Sequence, residues 1–306
     1  MKKNNVLRSK GVPAYSPEVY IGSYVSGYNI TLYKKHFTSY YEAIRSNFSM
    51  NAGFEGSFLN RFKGTFGYTN FHKTRTVYSA SDTLGKDLNF AQNQIYARLT
   101  GSVFPGWEFS VFDHSAFYTE VQTEGFFGNR QSISTIKNEY DIGAGISKNG
   151  WKIRTGANFS LSNFSNSNQI RGEGYLIYLP YGNLNLYLTS GVMYQTDNDW
   201  GGTYQINEEI GLKLRKFLWL ETGIVEGNSF LYVRNQGALM NNSFQIPATT
   251  IYGNFIILPG SRFVLMIAPF FSQNYLYSWY LNTYTRGDRL ISNSAGATIK
   301  ITYKIK

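Results

Sequence analysis

Three histidines, His36, His72 and His114, are the side chains of this sequence best suited to transfer protons near neutral pH. The string Asp113-His114-Ser115 also contains the residue types of a nucleophilic triad. If this segment is a β-strand, however, neighbouring residues point to opposite faces, and the three groups cannot share one proton path. The other two histidines are expected near the ends of loops. The sequence therefore predicts that the protein is not an enzyme.

Cofactor and metal sites are not indicated either. The chain has no cysteine, which excludes disulfides and thiolate metal ligands. The glycine-rich nucleotide loops and the HExxH arrangement of zinc proteases are absent from the sequence. Asp197-Asn198-Asp199 could offer oxygen ligands to Ca²⁺, but such a string is more typical of a solvated turn. We expect no cofactor and no bound metal.

The net charge of +10 comes from 29 Lys and Arg residues against 19 Asp and Glu residues. The longest basic runs are pairs such as Lys34-Lys35 and Arg215-Lys216, whereas a nucleic-acid-binding protein clusters its bases in runs or on one face. We therefore expect no nucleic-acid partner. The surplus is expected in the N-terminal segment, the turns and the loops.

Alternation of apolar and polar residues is the dominant pattern, and it predicts strands from end to end. In Glu139–Ser147 the even positions are apolar, while the odd positions are acidic, glycine or serine. The 25 Tyr and 23 Phe residues also favour strands. Fourteen strands are predicted, near residues 19–33, 45–59, 63–77, 93–104, 107–121, 137–147, 151–162, 170–180, 183–196, 204–214, 217–228, 247–258, 261–275 and 291–305.

Short and long connections alternate between these strands. Asn149-Gly150 has the composition of a type I′ hairpin turn, which would pair Ser147 with Lys152 and Gly145 with Arg154. Aromatic residues recur near strand ends and predict two interfacial girdles. On the turn side these are Trp107, Trp151, Phe217 and Trp219.

The predicted strands are about 11–15 residues long, whereas strands of soluble sandwiches usually have about 5–6 residues. About 9–11 tilted residues suffice to cross a bilayer, and closing the sheet removes its exposed edges. The predicted fold is therefore all-β: a closed antiparallel up-and-down transmembrane β-barrel of about 14 strands, with short periplasmic turns and longer extracellular loops. Residues 1–17 form a polar, basic N-terminal segment and residues 18–306 form one barrel domain. A soluble all-β fold is the alternative.

From about residue 18 onward, the sequence resembles the outer-membrane β-barrel proteins of Gram-negative bacteria as a class. The resemblance rests on strand length, alternating loop lengths and the final alternating strand, Ala295–Tyr303. It implies a location in the bacterial outer membrane, with a signal peptide removed from this chain. It also implies contact with outer-membrane lipid, including lipopolysaccharide; other envelope proteins in a complex are partners under the scaffold alternative given below. Many members of the class end on an aromatic residue, whereas this chain ends Tyr303-Lys304-Ile305-Lys306.

The polar face of each strand is expected to line the lumen. Five acids and five bases on that face predict no strong ion selectivity. They would either create a transverse field that orients a polar solute, or form a salt-bridge network that closes the lumen. These ten candidates are Glu55, Arg98, Glu108, Glu139, Asp141, Lys152, Arg154, Lys213, Glu221 and Lys300.

Three functions are compatible with these patterns. The charged lumen favours a pore that transports small polar solutes. In the strands predicted at 247–258 and 261–275, Ile256, Ile257 and the segment Phe263–Phe271 leave little polar face. This suggests a non-catalytic subunit or scaffold of a multiprotein outer-membrane complex for secretion, uptake or barrel assembly. The same strands permit a third function, the transport of a hydrophobic ligand.

Overall fold

The structure is a computed structural model, and it describes residues 18–29, 41–58, 61–79, 82–124, 131–163, 168–197, 201–227, 233–234, 239–240, 246–260, 262–279 and 286–304. No α-helix in these ranges is long and apolar enough to cross a bilayer. The strands are β1 (Glu18–Asn29), β2 (Tyr41–Phe58), β3 (Phe62–Ser79), β4 (Asp82–Phe104), β5 (Trp107–Glu124), β6 (Gln131–Asn149), β7 (Ile153–Ser162), β8 (Gln169–Tyr178), β9 (Leu186–Asp197), β10 (Gly201–Arg215), β11 (Leu218–Gly227), β12 (Val233–Arg234), β13 (Leu239–Met240), β14 (Ile246–Ile257), β15 (Phe263–Trp279) and β16 (Arg286–Lys304).

The long strands pair antiparallel with their neighbours in the chain, in an up-and-down order. β11 pairs with β14, and the two short strands β12 and β13 form a separate ribbon between them in sequence. β1 pairs with β2 on one side and with β16 on the other, with Glu18 opposite Lys304. The predicted all-β, antiparallel, up-and-down architecture is therefore confirmed.

Several strands continue beyond the segments predicted from alternation. β4 begins at Asp82, whereas the alternating pattern begins only near residue 93. Its polar first half still pairs with β3, for example Leu88 with Arg75. The physical reason is that backbone pairing does not require an apolar face, so a hydrogen-bonded ladder can extend past the residues that face lipid.

The predicted hairpin at Asn149-Gly150 is wrong in its register. Ser147 pairs with Gly156 and Gly145 pairs with Asn158, while Asn149 itself pairs with Arg154. The turn is therefore longer than two residues, and it closes with the Gly150 amide donating to the Ile153 carbonyl at 2.9 Å. The shift is an even number of residues, so each side chain keeps its predicted face.

The two faces of the sheet differ in exposure. On β7, odd positions such as Phe159 are exposed, while even positions such as Asn158 and Ser160 are buried. The exposed face carries an apolar belt, which we call the outer face. It includes Val111, Ile142, Phe159, Val192, Ile206, Phe255, Phe271 and Ile301. Such a surface suits hydrocarbon rather than water, because soluble proteins rarely expose a continuous apolar band of this kind.

Candidate functional site

Nine of the ten predicted charged residues lie on the opposite, inner face of their strands. These are Glu55, Arg98, Glu108, Glu139, Asp141, Arg154, Lys213, Glu221 and Lys300, all of them buried or half-buried. Lys152 is the exception: it lies in the turn before β7, where its ammonium is 5.1 Å from the centre of the Trp151 ring. The strand position expected for Lys152 is wrong because the turn is longer than predicted. Whether the other nine border a water-filled lumen stays a prediction.

A buried ion pair joins two strands that are not neighbours. The Nη2 atom of Arg171 on β8 donates to Oδ2 of Asp141 on β6 at 3.2 Å, across β7. The side chains are only 5% and 1% exposed. The sequence analysis missed Arg171 because Tyr175–Tyr178, farther along β8, is apolar on both faces and obscures which face is inner.

Further polar side chains extend this buried group on both sides. His114 Nε2 lies 3.0 Å from Gln94 Oε1, and Gln195 Nε2 donates to Gln169 Oε1 at 3.1 Å. Ser162 also donates to Gln169, at 3.3 Å. We call the inner face of β4–β8, together with Gln195, the polar sector. These glutamines, His114 and Ser162 are therefore bonded within the sector, whereas four buried polar atoms of the same face have no hydrogen-bond partner among the described residues: Arg98 Nε, Asp141 Oδ1, Arg154 Nε and Ser160 Oγ.

Glu55 and Lys63 form a second ion pair on the inner face, with Lys63 Nζ 2.7 Å from Glu55 Oε1. It differs from the first in burial, since the two side chains are 51% (Lys63) and 31% (Glu55) exposed. Exposed ion pairs contribute about 0–1 kcal/mol. Variants of the two ion pairs can therefore be compared to measure how burial changes the contribution of an ion pair to stability.

Two tyrosines and two carboxylates form a further group on β9, β10, β11 and β14. The Tyr187 hydroxyl donates to Glu221, which also accepts from Asn254 at 2.8 Å. The Tyr252 hydroxyl donates to Glu209 at 2.8 Å. All these donors are neutral. Sequence analysis overlooked Glu209, although it shares the inner face of β10 with Lys213.

The tyrosine rings lie against the sheet because the adjacent strand has glycine beneath them. A Cβ atom placed on Gly211 would be 2.1 Å from the Tyr187 ring, and one on Gly223 would be 2.5 Å from the Tyr252 hydroxyl oxygen. Each ring thus covers a glycine and turns its other side toward the interior. The glycines make room for an aromatic inner wall.

We expect Gly211→Ala to lower the free energy of unfolding by about 1–3 kcal/mol, as overpacking usually does. The added methyl group must displace the Tyr187 ring and weaken its hydrogen bond to Glu221. Gly172→Ala is the matched control, because its Cβ would meet nothing within 4 Å, and we expect it to be neutral or slightly stabilising. Reversible denaturation in lipid vesicles measures both. Equal losses in the two variants would contradict the steric argument.

The inner face of β11, β14 and β15 carries polar side chains, such as Glu221, Thr250 and Asn254, and large apolar ones, and we call the apolar ones the apolar sector. Its residues are Trp219, Val225, Ile256, Val264, Met266 and Phe270. The prediction that Trp219 belongs to an outer girdle is therefore wrong: it pairs with Lys213 and lies two residues before Glu221, on the inner side. Lys213 Nζ is 4.5 Å from the centre of the Trp219 ring.

The string Asp113-His114-Ser115 divides between the two faces, as alternation requires. His114 is buried on the inner face, whereas Ser115 donates to Asp113 at 3.2 Å on the outer face. His72 is exposed near the end of the β3 segment whose side chains are described, and His36 lies outside the described residues. Within the described ranges, no three His, Asp or Glu side chains gather as metal ligands.

No protein-family model and no curated protein matches the sequence. The fold, however, is similar to solved structures. The Pseudomonas putida toluene transporter TodX covers 96% of this chain over 90% of its own length, with a TM-score of 0.60 and 7% identity. A TodX mutant described as a monoaromatic hydrocarbon channel has a TM-score of 0.62 at 8% identity, covering 96% of this chain and 91% of its own.

A Pseudomonas aeruginosa FadL homologue is also similar, with a TM-score of 0.56 at 8% identity over 95% of this chain and 89% of its own. These structures belong to the bacterial outer-membrane β-barrels. Identities this low establish a shared fold and nothing further. The sequence-based prediction of an outer-membrane β-barrel is therefore confirmed at the level of the fold.

Proposed function

We propose that the protein is a closed, 14-stranded barrel of the bacterial outer membrane that conveys small hydrophobic molecules along the apolar sector. Closure is supported by the pairing of β1 with both β2 and β16. The outer apolar belt supports the membrane location. The proposal ranks hydrophobic transport, the third function considered from sequence, above the polar pore.

The observation that carries this ranking is the division of the inner face into two sectors. In the polar sector, buried groups such as Asp141 and Arg171 bond to each other, so they offer little hydrated surface to a passing polar solute. In the apolar sector, Ile256, Met266 and Phe270 form a surface that an apolar solute can contact without breaking hydrogen bonds. The similarity to a toluene transporter and to a hydrocarbon channel agrees with this choice.

The absence of catalysis, the envelope partners and the domain boundary are also proposals. We expect no catalysis, because among the described residues His72 and His114 form no proton relay with an acid and a nucleophile. The envelope partners expected for a scaffold are not needed for transport. Residues 1–17 precede the described part of the chain, and their separation from the barrel domain stays a prediction.

We expect Phe270→Glu, whose cross-strand neighbours Tyr252 and Gly296 carry no charge, to reduce hydrophobic transport roughly tenfold. A carboxylate in the apolar path must lose hydration when an apolar molecule passes, and a barrier of about 1.4 kcal/mol corresponds to a factor of ten. The measurement is uptake of a radiolabelled monoaromatic hydrocarbon by cells with the protein in their outer membrane. Asn51→Glu, which adds the same charge to the half-buried inner face of β2, is the control and should leave uptake unchanged.

Three results would count against the proposal. Uptake equal to that of cells without the protein would exclude hydrophobic transport. Sustained conductance in planar bilayers without hydrocarbon uptake would favour the polar pore instead. A folded barrel that is silent in both assays, and that co-purifies stably with other envelope proteins, would favour the scaffold.

A further inference from the structure

Six bases surround the turn side of the barrel, and we call them the basic rim. They are Arg61, Lys148, Lys152, Arg215, Lys216 and Arg262, and all six side chains are exposed. They lie in or beside the turns that join β2 to β3, β6 to β7, β10 to β11 and β14 to β15. The rim thus occupies four of the six short turns on this side of the described strands, and these four are spread along the strand order rather than grouped at one position.

Among the described residues, no acid forms an ion pair with the basic rim. The ion pairs found among the described residues are Lys63 with Glu55 and Arg171 with Asp141, and neither contains a rim residue. Glu55 and Glu108, acids of strands that end near these turns, lie on the inner face. The rim therefore concentrates six positive charges of a chain whose net charge is +10.

Aromatic rings connect the basic rim to the apolar belt. Lys148 Nζ is 5.2 Å from the centre of the Trp107 ring, and Lys152 lies over Trp151 in the same way. Phe217 directly follows Lys216, and Phe263 directly follows Arg262; both rings are exposed. Interfacial aromatic rings sit at the level of lipid headgroups, so the adjacent bases are at the height of the phosphates.

We propose that the basic rim binds the headgroups of anionic phospholipids in the membrane leaflet on the turn side. Ammonium and guanidinium groups bind phosphate oxygens through charge-assisted hydrogen bonds, and basic residues are drawn to anionic lipid surfaces. Lipid suits the geometry better than a protein partner does. Bases in four turns spread around a barrel can each meet a separate small headgroup, whereas a compact protein would contact only one side.

The test is the lipid selectivity of the folded protein in phosphatidylcholine vesicles. A trace of phosphatidylglycerol or phosphatidylcholine with a nitroxide on its acyl chain reports, by electron spin resonance, which lipid is immobilised at the protein surface. We expect the wild type to prefer phosphatidylglycerol about threefold or more. The preference should fall in 1 M salt, where the screening length is about 3 Å.

The four-position variant Lys148→Gln, Lys152→Gln, Arg215→Gln and Lys216→Gln should lose most of this preference. Replacing Lys148 and Lys152 by arginine keeps the charge and should retain it. Lys63→Gln with Lys213→Gln removes two inner-face charges and should also leave it unchanged. Heat-dependent gel mobility, which distinguishes folded from unfolded barrels, establishes that each variant is folded.

Two outcomes would overturn the proposal. One is a wild type that immobilises the two lipids equally, even if inorganic phosphate raises its melting temperature; the rim would then be a site for free phosphate. The other is an equal loss of preference in the inner-face variant, since selectivity would then follow net charge rather than the rim. Neither outcome bears on hydrophobic transport, which the uptake assay tests separately.

Discussion

Replacing Arg171 by leucine is expected to lower the free energy of unfolding by about 3–5 kcal/mol. The substitution leaves Asp141 buried on the inner face without a cation, and removing one partner of a buried ion pair typically has this cost. The two side chains are 5% and 1% exposed, so water cannot hydrate the remaining carboxylate. The measurement is reversible denaturation in phospholipid vesicles at neutral pH.

Two controls separate burial from charge in this experiment. The double variant Asp141→Leu/Arg171→Leu removes both charges and should remain within about 1 kcal/mol of the wild type, because apolar replacement of a whole buried pair is often tolerated. Lys63→Gln breaks the exposed pair with Glu55 and should cost at most about 1 kcal/mol. A loss below about 1 kcal/mol in Arg171→Leu would show that the interior around Asp141 is hydrated.

Phe159→Arg is expected to destabilise the protein by about 2–4 kcal/mol in a bilayer, the cost of a basic residue on the lipid face near the midplane of a barrel. Phe159 is 53% exposed on the outer face of β7, between Ala144 and Gly172 of the neighbouring strands. The guanidinium would have to leave water for hydrocarbon. Denaturation in lipid vesicles again provides the measurement.

Tyr181→Arg is the control for the depth of the substituted residue in the bilayer. Tyr181 is 67% exposed in the turn between β8 and β9, where the same charge should cost about 0–1 kcal/mol because it stays near the interface. Phe159→Leu keeps the position apolar and should have a small effect. Equal costs for the two arginine variants would mean that the outer face of β7 does not meet hydrocarbon.

The face of most side chains was predictable from sequence, because it follows from alternation, although Trp219 was predicted on the outer face and lies on the inner one. Glu139 and Asp141 lie on the inner face of β6 as predicted, and a four-residue error in the β6–β7 register did not change this. Backbone geometry places every second side chain on the same side of the sheet. The predicted face of a side chain therefore stays correct when the register is wrong by an even number of residues. The pattern was ambiguous where both faces are apolar, as in the second half of β8, and for that reason Arg171, in the first half of the same strand, was missed.

The composition and spacing of residues by themselves determined that this chain forms long antiparallel strands with one apolar face, joined by short turns on one side. The partners of each charged group were decided only by the tertiary structure. Arg171 bonds to Asp141 across an intervening strand, and Tyr187 reaches Glu221 past a glycine of β10. Those contacts depend on the register of three neighbouring strands at once, whereas the period of a single strand depends only on its own backbone. The polar and apolar sectors of the interior likewise depend on how neighbouring strands are aligned, and the proposed transport function depends on these two sectors.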